Sequence, residues 1–155
     1  MAKRKSLKTD PCPVARALDV IGERWSLLIV RDAFHGMRRF GEFQKSLGVA
    51  KNILADRLHT LVEEGIFTVA PASDGTAYQE YVLTQKGLAL FPIVVGLRQW
   101  SEEQLFEAGE AHSTLLQRGS GLPVRRIDVL AEDGRVLQAG DTVVHKVVTE
   151  VEPKA

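Results

Sequence analysis

The chain has one cysteine, Cys12, among 155 residues. That excludes an intrachain disulfide, and with it a small secreted domain held together by such bonds. Long apolar runs are also missing. The richest stretch, Leu88 to Trp100, is interrupted by Pro92, Arg98 and Gln99 and is too short to cross a bilayer. The basic start Met-Ala-Lys-Arg-Lys-Ser is not followed by the apolar core of a signal peptide, so a cytoplasmic protein is expected. The histidines His35, His59, His112 and His145 lack metal-ligand spacing. Gly119-Ser-Gly121 lacks the lysine and the strand-to-helix setting of a phosphate loop. With no nucleophile–base set visible, neither metal, cofactor nor enzymatic activity is expected.

Net charge is lacking too: 20 Lys+Arg balance 20 Asp+Glu. The balance hides an asymmetry. Residues 1–66 carry 12 basic and 8 acidic side chains, and residues 67–155 carry 8 and 12. The N-terminal half is therefore the one suited to face phosphate, although charges solvating two faces give the same count.

What is present is a change of period along the chain. Residues 1–10 are polar and basic and read as a flexible tail. Val14, Ala17, Leu18 and Ile21 repeat at helical spacing behind Pro13, which suits a first helical turn. A second helix carries Trp25, Leu28, Ile29 and Ala33 and ends near His35-Gly36. A third runs from about Arg39 to Leu47, and a fourth from about Ala50 to Glu64 with the stripe Leu54, Leu58, Leu61 and Val62, closed by Gly65. The period then becomes that of strands: residues 67–70, a Ser73–Thr76 turn, and Tyr78–Leu83. Thr84 can cap a further helix from Gln85 to about Phe106, broken near Pro92. Later, Val124–Leu130, Arg135–Gln138 and Thr142–Val151 read as short strands, with Asp133-Gly134 as a hairpin turn. The fold class is mainly α with a β-hairpin wing (α+β): a winged helix-turn-helix over residues 11–110 for DNA binding and dimerisation, then a small β-rich C-terminal appendage over 111–155.

A recognition helix needs an apolar back to seat it and a polar front to read base edges in the major groove. On the fourth helix the face opposite Leu54 carries Asn52, Ala55, Asp56, His59 and Glu63. Asn52 can pair with adenine, Asp56 can accept from cytosine, and Lys51 can hold a phosphate or a guanine. Arg57 flanks the stripe, and both a phosphate contact and a local carboxylate partner stay open for it. Any solvated amphipathic helix shows this pattern, so the face alone does not decide. The wing departs from expectation: no Lys or Arg lies between Gly65 and Lys86, and the turn carries Asp74. Wings that enter the minor groove use a cation. The anchoring cations are then expected from Arg38, Arg39, Lys45 and Lys51, together with the tail residues Lys3, Arg4, Lys5 and Lys8. A shallow to moderate salt dependence of binding follows.

The text from Cys12 to Asp32, CPVARALDVIGERWSLLIVRD, is followed by Arg39-Phe-Gly-Glu-Phe, Leu54-Ala-Asp-Arg-Leu, Leu61-Val-Glu-Glu-Gly-Ile and Tyr81-Val-Leu-Thr-Gln-Lys-Gly. In this order and spacing, over about residues 11–105, the chain resembles the HxlR family of winged helix regulators, relatives of the MarR family. The resemblance implies a homodimer on a palindromic operator in double-stranded DNA. It places dimer contacts on the first helix and on the helix carrying Phe91, Val95, Leu97 and Trp100. Two departures stand out: the family's wing is usually basic, and the segment after about Ala111 exceeds the family's minimal length.

The resemblance also gives Cys12 two readings. At the cap of a helix, a thiolate is favoured, and some HxlR-like regulators sense oxidants with a cysteine at this place. Without a second cysteine, the products would be an intersubunit Cys12–Cys12 bond, a mixed disulfide or an adduct. The other reading is a small apolar residue packing the dimer. Trp25, Phe34, Phe40, Phe43 and Trp100 read as core or dimer residues, or as the lining of a cavity for a small effector. Outside DNA regulation, a winged helix serving as a protein–protein module fits the neutral wing; a small ligand-binding enzyme has no positive support.

Overall fold

The computed structural model describes residues 5–148. They form two compact units: one runs up to Leu88 and is joined by the segment from Val143, and the other is Ala89–Thr142. This division lies upstream of the 110/111 limit expected from sequence texture, because the last long helix makes its contacts with the segment that follows it.

The first unit contains α1 (Pro13–Ile21), α2 (Arg24–Phe34), α3 (Phe40–Leu47), α4 (Lys51–Glu63), β1 (Phe67–Pro71), β2 (Gln79–Leu83) and α5 (Gln85–Leu88). Local chemistry sets the boundaries. Pro13 opens α1, where its missing N–H costs nothing. The Glu23 side chain accepts from the Trp25 N–H at the start of α2, and Glu42 accepts from the Arg38 and Arg39 N–H groups before α3. These two donors hold the Glu42 carboxyl below its ordinary range. Gly48 ends α3 at φ 61°, a left-handed conformation that costs glycine little and turns the chain into α4.

The helices α2, α3 and α4 pack on one another, with α4 also against β1 and α2 against β2. Their shared core is Ile29, Val30, Phe43, Leu54, Leu58, Leu61, Ile66 and Phe67, all buried. Phe67 links helices to sheet, edge-on to Phe43 at 6.3 Å and to Tyr81 at 6.5 Å. The strands pair antiparallel, Phe67 opposite Leu83 and Pro71 opposite Gln79. Thr84 does cap the next helix: its hydroxyl donates to Gly65 O and accepts from the Gly87 N–H. Gly87 itself sits where a Cβ would lie 2.3 Å from Ile66 O, so only glycine lets α5 approach the start of β1.

Residues 5–10 are docked rather than loose, in contrast to the expected flexible tail. The Leu7 N–H and Ser6 hydroxyl donate to Asp19, and Lys8 pairs with Glu64 at 2.5 Å. The expected phosphate contacts Lys3 and Arg4 lie outside the described residues.

The second unit is built on α6 (Phe91–Gln104). The helix expected from Gln85 to Phe106 with a break near Pro92 is two helices, but the break falls earlier, at Ala89-Leu90, and Pro92 lies in the first turn of α6. The segment after it is held to α6 by side chains. Arg98 donates to the Ser113 carbonyl and hydroxyl. The Gln99 amide clamps the backbone, donating to Arg125 O and accepting from the Ile127 N–H, and Arg126 pairs with Glu103. The strands expected in 124–130 and 135–138 reduce to one isolated bridge, Leu130 with Val136, and a second bridge, Leu116 with Pro123, lies before them. The Asp133-Gly134 turn forms, closed by Ala131 N–H to Arg135 O. The alternating valines and leucines on either side remain exposed, so no apolar face is buried to extend the pairing. Of the strand expected at 142–151, residues 143–148 are without regular structure, and 149–151 lie outside the described residues. A 3-10 turn, Ala139–Asp141, closes this unit.

Candidate nucleic-acid interface

Two short helices joined by a tight turn, α3 and α4, are followed by the β1–β2 hairpin. The burial pattern orients α4. Leu54, Leu58 and Leu61 are 1% exposed or less, whereas Lys51, Asn52, Ala55, Asp56, His59 and Glu63 face solvent. The helix is therefore seated by its leucines and offers an exposed, mainly polar front along its length, the form that fits a major groove. Ile53, 41% exposed, adds an apolar side chain beside Asn52 at the N-terminal end.

The expected contact residues differ in how they are engaged. Arg57 donates to Asp56 at 2.5 Å, so in the free protein it takes the local carboxylate of its two readings and occupies the side chain expected to read cytosine. His59 lies 3.2 Å from Glu63, one turn on. Lys45, Lys51 and Asn52 are exposed and make no side-chain hydrogen bond or ion pair among the described residues.

Arg38 and Arg39 are drawn toward the wing. The Arg38 carbonyl accepts from the Tyr81 N–H at 2.7 Å, so the chain before α3 runs along the outer edge of β2. From there the Arg39 guanidinium reaches Asp74 in the wing turn at 2.5 Å and Glu80 at 3.8 Å, and lies 5.3 Å above the Tyr78 ring. Arg38 lies 3.6 Å from Glu80. Glu80 is 4% exposed, and its carboxylate also accepts from the Ser73 N–H and hydroxyl. The Ser73 N–H, aided by the hydroxyl and Arg38, holds the Glu80 carboxyl below its usual range despite burial. The Thr76 hydroxyl, then Arg39, then the Thr76 N–H lower Asp74 to about 2, and Asp74 in turn raises Arg39. Nothing in sequence spacing announced this cluster, because its partners are 35 residues or more apart. The only signal was two adjacent arginines and a wing with carboxylates but no cation.

Cys12 caps α1 and is exposed; its N–H donates to Asp10. Phe43 is fixed in the core against Phe67, which removes it from any effector cavity. Val95, expected at a dimer contact, is 3% exposed within its own unit, whereas Leu97 and Trp100 on the same helix are 48% and 58% exposed.

Residues 20–109 match the HxlR-like helix-turn-helix family. The chain belongs to that family. An HTH-type transcriptional regulator of Mycobacterium bovis, itself uncharacterised, is 48% identical over 92 residues, which cover 59% of this chain and 58% of that protein. This chain thus spans less than two thirds of that relative. Among solved structures, PA1607, a candidate transcription factor, is similar with a TM-score of 0.87 and 58% identity over 91% of this chain and 99% of that one. The redox regulator HypR in its reduced form is similar with a TM-score of 0.56 and 30% identity over 61% of this chain and 94% of that one. The winged helix-turn-helix fold of this HxlR-like chain is thus shared with these solved structures. No helix among the described residues is long and apolar enough to cross a membrane.

Proposed function

We propose that the chain is a cytoplasmic transcriptional regulator, a repressor, that binds a palindromic operator in duplex DNA as a homodimer. One observation carries the reading: α4 is seated by three buried leucines and turns an exposed front of Lys51, Asn52, Asp56 and His59 outward. Asn52 and His59 read base edges; Lys45 and Lys51, with Arg38, Arg39 and Arg57, hold phosphates. The first unit binds DNA. Dimer contacts draw on Val14 and Leu18 of α1 and on Leu97 and Trp100 of α6, apolar side chains 48–65% exposed in the single chain. A cleft of about 220 Å³ on the second unit, lined by Val95, Arg98, Glu102, His112, Leu115 and Val124, is the place for a small effector.

Exposed Cys12 at the α1 cap is the thiol that an oxidant would reach, and the likeness to HypR, called a redox regulator, supports that reading. Diamide treatment should then weaken operator binding by the wild type and leave Cys12→Ser unaffected; equal effects on both would remove the sensor role.

The test of the main reading is binding to labelled duplexes from the DNA flanking the protein's own gene. Selective retention over scrambled duplexes at moderate salt is expected, and its absence would defeat the reading. The wing, without a Lys or Arg of its own, favours one alternative, a winged helix used as a protein–protein module; absence of binding to any duplex would point there.

A further inference from the structure

The wing has no lysine or arginine of its own, yet a guanidinium stands at its tip. Arg39 is carried there by the pairing of the Arg38 carbonyl with Tyr81, and is held by Asp74, Glu80 and the face of Tyr78. Arg38 and Arg39 are matched by Asp74 and Glu80, and Glu42 at the start of α3 adds a further carboxylate beside Arg39, so this side of the interface offers DNA no net attraction. We propose that Asp74 is an internal competitor for DNA phosphate, occupying Arg39 in the free protein and setting the affinity and salt dependence of DNA binding; this rests on the DNA-binding reading above.

The two carboxylates differ in a way that singles out Asp74. Glu80 is buried and tied to Ser73 by two hydrogen bonds, so it is part of the hairpin's framework. The Asp74 side chain is 49% exposed, and Arg39 is 29% exposed. An incoming phosphate that takes the Arg39 Nη2 donor must therefore displace Asp74, which already holds it. Sharing the guanidinium would bring two anions together, and exchanging them returns a carboxylate to water in place of a phosphate. Asp74 is also presented in a fixed pose. Its Oδ1 accepts from the Thr76 N–H at 3.0 Å and from the Thr76 hydroxyl at 2.7 Å, which leaves Oδ2 aimed at Arg39. Asparagine keeps the Oδ1 acceptor that closes this turn but turns an N–H group toward Arg39. Asp74→Asn thus releases the arginine without dismantling the wing, and shifts the charge of the cluster by one unit in the positive direction.

The experiment measures anisotropy of a fluorescein-labelled duplex of random sequence against full-length protein over a series of salt concentrations. Relative to wild type, Asp74→Asn should bind about threefold or more tightly at low salt. Its log–log salt slope should steepen by about 0.9 for each protomer that gains a phosphate contact. Asp74→Glu, which keeps the charge, should follow wild type, and adding Arg39→Gln to Asp74→Asn should remove the gain. Asp74→Ser, also an acceptor at the turn, serves as an independent release variant should Asp74→Asn melt early. If wild type binds and both release variants show its slope or weaker binding, the competitor role is overturned while the DNA-binding reading stands. If neither wild type nor any variant binds duplex DNA, the DNA-binding reading fails and takes this one with it.

Discussion

Two apolar residues five positions apart on α4 should respond very unequally to truncation. Leu58 is fully buried and Ile53 is 41% exposed, one on the seat of the helix and the other on its groove-facing side. Leu58→Ala removes packed atoms against a core that already includes Phe43 and Phe67, and such truncations cost about 2–5 kcal/mol through lost transfer energy and the cavity left behind. For a chain of this size that lowers the melting temperature by about 2–4 °C for each kcal/mol. Ile53→Ala gives up only the part of its side chain that was shielded, and should cost less than about 1 kcal/mol. Urea unfolding followed by circular dichroism measures both, with an unchanged m-value showing that stability alone has moved. Equal losses, or a larger loss for Ile53→Ala, would mean that α4 is rotated from the pose described, and the assignment of Asn52 and His59 to the front would fall with it.

Other expectations follow from the same geometry. Gly87→Ala places a methyl 2.3 Å from Ile66 O and 2.9 Å from a Leu83 methyl, and should cost about 1–3 kcal/mol in urea unfolding. Thr84→Val deletes the hydroxyl that joins Gly65 O to the Gly87 N–H, and should cost about 1 kcal/mol or more by the same measurement. Acid should selectively loosen the wing. The Asp74 carboxyl ionises at about 2 rather than 3.8, so its contribution to stability is present above 3.8 and is lost as pH falls from 3.8 through about 2. The difference in urea midpoint between wild type and Asp74→Asn should therefore shrink across that interval, and a constant difference would show that the ion pair does not stabilise the fold.

The helices and the hairpin were legible because each rests on local signals: the leucine stripe of α4, the glycine after α3, the Thr84 cap. The front of α4 was legible for the same reason, since helical period assigns faces. The engagement of Arg38 and Arg39 was not, because it depends on the chain before α3 pairing with β2, a contact between residues 43 positions apart. The appendage was over-read as strands, since apolar residues such as Ile127, Val129 and Val136 promise a sheet only when a partner face exists to cover them. The break between α5 and α6 was misplaced by a few residues because Pro92 is tolerated in a first helical turn and therefore marks a start rather than an end.

The central claim is that the front of α4 reads bases. Selection of bound duplexes from a random-sequence pool, followed by sequencing, compares wild type with Asn52→Ala and Lys51→Ala. The expected result is a palindromic motif for wild type, loss of preference at one position in each half-site for Asn52→Ala, and the same motif with weaker recovery for Lys51→Ala. No enriched motif, or an Asn52→Ala motif identical to that of wild type, would contradict the account.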